Sequence, residues 1–377
     1  SSAREGRLMA SAFERVPGAV AEGGILMHLG NPLAEQRRLL RGDAVAPLEN
    51  RAVVSVAGPD RLAWLDSITS QAVAGLMPGE SSELLILDPN GHIEHAAGIV
   101  DDGETAWLLV DAADAEQLTA WLTKMRFRMR VEIQLVGDVV VIGAVSPDAA
   151  GLTAFSPAGV PLVWRDPWPG VTAGGHAYAV GEHPGQARDW VEVIVDASER
   201  DRIAQAAAAG EVSLAGALAV DALRIAAWRP SWSREVDERS LPHEVDWLRT
   251  AVHLTKGCYR GQETVAKVHN LGHPPRRLMA VHLDGADSIL PPPGSKVHIA
   301  SGEVGVLTSV ALHVDDGPIG LALVRRTTPD GDATVQTAEG AVAARLETIV
   351  PPEAGAAASV PRLPRLSRRA AASPPSP

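Results

Sequence analysis

The amino-acid sequence predicts an α+β fold that ends in a small, separate β-domain. Between residues 46 and 195, short runs rich in β-branched residues alternate with amphipathic helical segments, and hairpin turns join successive runs. This pattern is typical of antiparallel sheets covered by helices. After the proline run 291–293, five short strand-like runs follow at regular spacing with Gly and Asp turns, which favours a small β-barrel or sandwich.

Each element is predicted from its local pattern. Residues 51–57 have the β-branched content of a strand, and Asp60 begins a helix whose apolar residues share one face. A hairpin turn is predicted at 89–91, because Asn-Gly supplies the positive φ angles of a tight turn. Further strands are predicted at 84–87, 93–100, 105–110, 131–136, 139–144, 162–164, 177–180 and 191–195, and further helices at 115–127, 199–209 and 214–227.

The two ends of the chain differ from its middle. Residues 1–24 show no clear periodicity, and residues 1–45 are predicted to form a flexible N-terminal extension, with 33–41 either a short helix or an exposed lead-in. Residues 276–350 are assigned to the β-barrel. Residues 351–377 are rich in proline and arginine, with few large apolar residues to bury, and predict a disordered basic tail.

Composition narrows the class of protein. The chain has 377 residues, a net charge of −12 and 46% hydrophobic residues, so we expect two or three folded domains and neither strong direct nucleic-acid binding nor membrane binding. The longest apolar runs have the length of strands, and no secretory signal is recognised. A single cysteine excludes an internal disulfide and an all-cysteine metal cage, and fits a reducing cytoplasm.

That single cysteine is the strongest candidate for chemistry. Residues 256–263 read Lys-Gly-Cys-Tyr-Arg-Gly-Gln-Glu, so Cys258 lies between Lys256 and Arg260 and just before a predicted helix at 262–268. Nearby cations and a helix N-terminus both lower the pKa of a thiol, so Cys258 is interpreted as a reactive thiolate or metal ligand. The alternative is a buried cysteine that packs as a small apolar residue.

Charge around the cysteine suggests an anionic ligand. Residues 251–280 contain five Lys and Arg residues and one glutamate, a net charge of +4 within a chain of −12. The segment therefore either faces an anion or is balanced by acids from elsewhere in the fold.

The octet resembles the K-G-C-Y-x-G-Q-E signature of the YgfZ family, folate-binding proteins that support iron–sulfur enzymes and are related to the glycine-cleavage T-protein, an aminomethyltransferase. Residues 241–244 resemble the family's L-P-x-E, residues 223–225 resemble the start of its L-R-I-E-A-G segment, and 276–278 follow at a similar spacing. The resemblance implies a three-part T-protein-like chain with ferredoxin-like α+β domains. Residues 46–275 would form the folate-binding region, as two intertwined subdomains with a boundary near residue 146.

The resemblance also implies roles for individual residues. Tetrahydrofolate, or another folate, would lie in a central channel, with Cys258 and Lys256 as catalytic residues and no resident metal. The folate contacts would be Arg224, Trp228, Tyr259, Arg260, Gln262 and Glu263. Iron–sulfur proteins or cluster-assembly factors would be the protein partners. For Trp228, plain core packing is the alternative to stacking on the pterin.

Two departures from the related patterns separate the possible functions. The T-protein has an Asp-Asp pair after its Gly-rich turn, where an aspartate supports methylene transfer to folate, and this chain has Glu94 and His95 there. Some relatives carry tryptophans, thought to touch folate, where this chain has Arg51 and Val220. The sequence therefore favours an accessory protein with a reactive cysteine, and the alternatives are a true aminomethyltransferase and a non-catalytic binding module.

Overall fold

A computed structural model describes residues 11–285 and 290–358 and contains both helices and sheets. In chain order, the strands are β1 Val20–Glu22, β2 Ile25–His28, β3 Ala44–Pro47, β4 Arg51–Ala57, β5 Ser81–Leu87, β6 Ile93–Asp101, β7 Thr105–Asp111, β8 Glu132–Val136, β9 Val139–Ala144, β10 Val163–Arg165, β11 Val191–Asp196, β12 Ser213–Leu214, β13 Arg276–Leu283, β14 Lys296–Ile299, β15 Gly302–His313, β16 Gly317–Arg325, β17 Gly331–Thr337 and β18 Gly340–Thr348. The α-helices are α1 Pro32–Leu40, α2 Arg61–Ile68, α3 Ala115–Met125, α4 Ala197–Ala208, α5 Ala217–Ala226, α6 Trp232–Glu235 and α7 Gln262–Leu271.

Two five-stranded sheets form the first part of the described chain. One has the order β5-β6-β7-β4-β8 and is antiparallel throughout, and the other has the order β10-β11-β9-β3-β12, in which only β3 and β12 are parallel. Tryptophans, including Trp107, Trp164 and Trp190, pack between the sheets in one shared apolar core. The second part is a closed barrel with the order β13-β16-β15-β14-β17-β18. The α+β prediction and the C-terminal barrel are confirmed.

The N-terminal prediction is wrong for the part of it that the structure describes. Phe13 and Leu39 are fully buried, and α1 contacts both α5 and β15. Gln36 anchors α1 to the barrel by donating to the Leu312 carbonyl (2.9 Å). The segment lacks a simple apolar period because its buried positions include polar residues that bond to other elements. Residues 1–10 lie outside the described residues.

Two other expectations are changed by tertiary contacts. Residues 177–180 are not a strand, because the Tyr178 amide donates to the Asp246 side chain (2.5 Å) rather than to a neighbouring strand. At the C-terminus, residues 351–358 pack on α7, where the Ala357 amide donates to the His269 carbonyl (2.9 Å). The rest of the predicted tail, residues 359–377, lies outside the described residues.

Close packing between the two sheets gives a testable consequence. A Cβ added to Gly143 on β9 would lie 2.2 Å from the Trp190 ring, whereas one added to Gly137 would have no atom within 4 Å. We expect Gly143→Ala to lower the free energy of unfolding by roughly 1–3 kcal/mol, because the overpacked ring must move. Urea unfolding measures this change. Equal losses in Gly143→Ala and the matched control Gly137→Ala would contradict the packing described here.

Candidate functional site

A cavity of about 140 Å³ lies where the two sheets meet α5 and the chain that follows it. Strands from both sheets contribute to its wall, and the side chains of Trp164, Trp190 and Trp247 give it aromatic surfaces. The Trp164 ring is fixed because its Nε1 donates to the Ser82 carbonyl (2.7 Å) and its edge packs on Gly98. The cavity is therefore shaped by positioned rings, as small-molecule sites commonly are.

Buried ion pairs dominate the charge of this cavity. Arg229 is 6% exposed and contacts Glu83 (2.5 Å) and Asp166 (3.2 Å), and Asp166 also pairs with Arg188 (2.9 Å). Burial tends to raise the pKa of Asp166, but the two guanidinium groups outweigh it and hold that pKa below its ordinary value. Arg229 also lies 5.0 Å from the Trp168 ring. This network therefore fixes the cavity wall and leaves these charges neutralised.

One carboxylate in the cavity keeps a free acceptor. Glu192 projects from β11 and is 8% exposed, and its Oε2 accepts from Arg51 (2.9 Å). Within the described chain its Oε1 has no hydrogen-bond partner. Glu192 was not predicted, although a lone acid within the apolar run of residues 190–195 is a usable signal. Arg51 and Val220, the two departures from the tryptophans of some relatives, both line this cavity.

The cysteine loop is a second, separate cluster. Cys258 is exposed, which contradicts the alternative of a cysteine in apolar packing. Gly261 lets the loop sit against the β5–β6 turn: its φ is +83°, and a Cβ there would lie 2.6 Å from the Asp88 carbonyl oxygen. The side-chain Nε2 of Gln262 donates back to the Lys256 carbonyl (3.2 Å) and closes the loop. The loop therefore presents its thiol to solvent on a fixed backbone.

The two cations beside the cysteine point to other groups. Lys256 donates to the backbone carbonyls of Asp66, Thr69 and Gln71 at the end of α2. Burial lowers the pKa of Lys256, and Asp66 partly opposes this effect. Arg260 pairs with Glu94 (2.6 Å). Both cations therefore hold the loop in place. Lys256 was predicted to keep the thiolate charged, but its contacts favour a structural role instead.

The other predicted site residues are divided between these two places. Arg224 lines the cavity, but its nitrogens already donate to Asp221 (2.8 Å), Ser309 (2.8 Å) and the Arg229 carbonyl (2.8 Å). Trp228 lies outside the cavity lining and packs edge-on against His183, with ring centroids 5.2 Å apart.

Tyr259 and Glu263 belong to the cysteine loop rather than the cavity. Tyr259 is 8% exposed, and burial raises the pKa of its hydroxyl. Glu263 is exposed at the start of α7. The sequence placed the predicted residues in one channel, but the structure brings only Arg224 to the central cavity.

The positive segment 251–280 is balanced by acids from other elements. Arg276 contacts Asp237 (2.6 Å) and Glu244 (2.9 Å), while Arg277 is 1% exposed and donates to the carbonyl of Val350 (2.7 Å). Glu244, the acid of the L-P-x-E motif, also accepts from the Leu241 amide (3.2 Å). The L-P-x-E motif therefore closes a turn and holds the barrel through Arg276. Of the two interpretations of the positive segment, balance by acids from elsewhere in the fold is the better one.

A β-bulge separates the two residues that replace the aspartate pair. Leu87 pairs with Ile93 and Ile86 with His95, so Glu94 is the extra residue and turns toward Arg260. His95 is 7% exposed, and its Nδ1 lies 2.8 Å from Asp114. Both side chains at these positions are thus already paired.

A buried histidine beside α7 should make the stability of the fold decrease at acidic pH. His243 is fully buried and its Nε2 donates to the Val265 carbonyl (3.1 Å). Burial lowers the pKa of His243 to about 4, from 6.5. Because the folded pKa lies below the unfolded one, neutral His243 stabilises the fold fully above pH 6.5, and this contribution is lost as pH falls through 4.

His243→Gln tests this contribution, because glutamine keeps a donor but does not titrate. Between pH 7 and 4 we expect wild type to lose about 3 kcal/mol more stability than the variant. Asp246, whose pKa burial raises to about 6, acts in the opposite direction, but it is present in both proteins. Urea unfolding at several pH values measures the difference, and parallel pH profiles would contradict the assignment.

Comparisons with known proteins show which proteins this chain is similar to. No protein-family model matches the chain. It is similar to a tRNA-modifying protein YgfZ from Klebsiella pneumoniae (24% identity, 80% of this chain and 91% of the relative) and to an aminomethyltransferase from Geobacillus kaustophilus (30% identity, 72% and 76%). Over 105 residues, covering 26% of this chain and 27% of the relative, it is 34% identical to a mitochondrial iron-sulfur cluster assembly factor from Mus musculus.

A solved structure shows the same fold. The glycine cleavage system aminomethyltransferase T from Bartonella henselae superposes with a TM-score of 0.67 at 16% identity, over 88% of this chain and 94% of the other. None of the helices in the described residues is long and apolar enough to span a membrane.

Proposed function

Since the chain belongs to the family that unites aminomethyltransferases with the YgfZ-type folate-binding proteins, we propose that it binds tetrahydrofolate and supports iron–sulfur cluster assembly, cluster repair or iron–sulfur-dependent tRNA modification. The pterin end of the folate would occupy the central cavity, and Cys258 would be the reactive group. The observation that carries the proposal is the central cavity, which is lined by tryptophan rings and by Glu192, a carboxylate with one oxygen free to accept a hydrogen bond.

The cavity residues fit the pterin end of a folate. The cavity volume of about 140 Å³ lies below the range of whole ligand sites, roughly 300–1,000 Å³, so the flat pterin would enter it and the rest of the folate would lie outside. A flat pterin can stack on the rings of Trp164 or Trp190, and the Oε1 of Glu192 can accept from its N–H groups. A bound tetrahydrofolate would supply one-carbon chemistry. The protein would bind and orient it, and the buried pairs around Arg229 would keep the walls rigid.

Cys258 would act outside this cavity. It is exposed on a loop whose backbone is held by Lys256 and Gln262, so it can reach a partner protein without unfolding. Iron–sulfur clusters normally take about four ligands, so one cysteine can ligate a cluster only together with a partner protein. We propose that Cys258 serves a client in this way or as a nucleophile, with Lys256 as a positioning residue.

Aminomethyl transfer is the second candidate, favoured by the 30% identity to an aminomethyltransferase. It needs a carboxylate at the aspartate-pair positions. Here Glu94 is paired with Arg260, and His95 is paired with Asp114. The chain thus lacks the aspartate of the transferase, and the carboxylate that stands at these positions is held by an arginine, so we rank this function below the first.

Titration calorimetry with tetrahydrofolate separates the candidates. Binding without turnover of an aminomethylated carrier protein is the expected result. Turnover of that carrier would establish the transferase instead. Absence of binding, with the protein folded by circular dichroism, would leave a non-catalytic binding module.

A further inference from the structure

A basic loop with an exposed phenylalanine connects α3 to β8. Residues 124–130 read Lys-Met-Arg-Phe-Arg-Met-Arg, and all four cations are exposed. The loop lies outside the residues that line the central cavity. Its local charge contrasts with the net charge of −12 for the whole chain. An anionic partner would therefore be attracted to this part of the surface only at short range.

The aromatic ring on this loop is held away from the core. Phe127 is 82% exposed, whereas Phe13 is fully buried and Phe155 packs edge-on against Trp107 with centroids 5.8 Å apart. The φ of Phe127 is +47°, in the left-handed region that large side chains rarely adopt. An unsupported ring on a strained residue contributes nothing to the core, so its position suits a contact with another molecule.

Contacts with the sheet fix the loop. Arg130 forms a bidentate pair with Asp60, with its Nε 3.0 Å and its Nη2 2.5 Å from the carboxylate, and its amide also donates to Asp60 (2.8 Å). Gly58 permits this approach, since a Cβ there would lie 2.3 Å from the Arg130 carbonyl oxygen. The Met129 amide donates to the Arg126 carbonyl (3.0 Å). The ring and its flanking cations therefore keep a defined arrangement.

Three of the four cations on this loop remain free to contact an anionic ligand. Arg130 neutralises Asp60, but Lys124, Arg126 and Arg128 make no ion pair within the described residues. Arg126 makes only a long contact of 3.5 Å to the Val131 carbonyl. The neighbouring acid Glu132 is exposed and accepts from Gln134 (2.6 Å). A shallow concavity runs along the loop and is lined by Arg126, Phe127, Arg128 and Glu132 among others.

We propose that this loop binds single-stranded nucleic acid, with a base stacked on Phe127 and phosphates contacted by Arg126 and Arg128. Stacking on an exposed ring between cations is how proteins hold single strands without reading their sequence. An acidic peptide would match the charges, but it would not need a flat, projecting ring. The net charge still excludes generic binding over the whole surface. Folate binding and this inference are independent, since the loop and the cavity share no residue.

Fluorescence anisotropy with a labelled single-stranded RNA of about ten nucleotides tests the proposal. We expect Phe127→Ala to weaken binding roughly tenfold and Phe127→Trp to restore it. Arg128→Ala should weaken binding and reduce the slope of log K against log salt by roughly 0.7. Val180→Ala and Arg165→Ala, which alter an exposed apolar residue and an exposed arginine elsewhere, should leave binding unchanged.

Two results would overturn the proposal. One is an RNA affinity that Phe127→Ala leaves unchanged. The other is equally tight binding of a polyglutamate peptide, which would assign the loop to acidic proteins instead. Circular dichroism and thermal melting of the same variants should match wild type, which shows that each variant is folded whether or not the protein binds folate.

Discussion

Replacing Cys258 with serine should abolish the proposed support of iron–sulfur enzymes in cells and leave the stability of the protein nearly unchanged. The thiol is exposed and belongs to none of the apolar cores of the described residues, so the stability change should stay within about 0.5 kcal/mol. Serine is close in shape but cannot provide a thiolate at neutral pH. The measurement is complementation of a deletion strain through the activity of an iron–sulfur enzyme, together with thermal melting of the purified protein.

Thr255→Ala is the matched control, since Thr255 is exposed in the chain just before the cysteine loop. It should complement fully. Tetrahydrofolate affinity should be the same in Cys258→Ser and wild type, because Cys258 does not line the cavity. Full complementation by Cys258→Ser would remove the thiol from the mechanism, and loss of solubility would give it a packing role.

Arg229→Met should have the largest effect on stability. The guanidinium is buried between Glu83 and Asp166 and lies over the rings of Trp168 (5.0 Å) and Trp247 (5.9 Å). Methionine fills much of the space but leaves buried carboxylates with less compensation. We expect the free energy of unfolding to fall by about 3–5 kcal/mol, measured by urea denaturation.

An exposed ion pair provides the control for this prediction. The side chains of Arg41 and Asp43 are 61% and 58% exposed, so Arg41→Met should cost less than about 1 kcal/mol. Adding Glu83→Gln to Arg229→Met should recover part of the loss, because it removes one uncompensated charge. Equal losses for Arg229→Met and Arg41→Met would mean that the buried network does not stabilise the cavity wall.

Local sequence patterns identify much of the fold. The strand at 51–57, the Asn-Gly hairpin turn and the evenly spaced strands of the barrel all depend on near neighbours, and they appear where the pattern indicates. The first described segment was missed because its order depends on distant partners. Gln36, for example, bonds to Leu312, which is 276 residues away.

In the candidate site too, the sequence predicts what depends on near neighbours and misses what depends on distant contacts. The octet at 256–263 singles out Cys258, and the structure shows that it is exposed, but the sequence does not reveal where the neighbouring cations point. Lys256 reaches the end of α2, and Arg260 reaches a glutamate that a β-bulge re-aims. The cavity residues come from both sheets, and no spacing along the chain relates Arg51 to Glu192. Only their pairing in the fold brings them together.

Tetrahydrofolate affinity in Glu192→Gln tests most directly the proposal that a folate binds in the central cavity. Glutamine keeps the size of the side chain but loses the charged acceptor, so calorimetry should show binding weakened roughly tenfold or more relative to wild type. Glu132→Gln, at an exposed position outside the central cavity, should bind as wild type does. Unchanged affinity in Glu192→Gln, with the variant as stable as wild type, would contradict folate binding at this carboxylate between the two sheets.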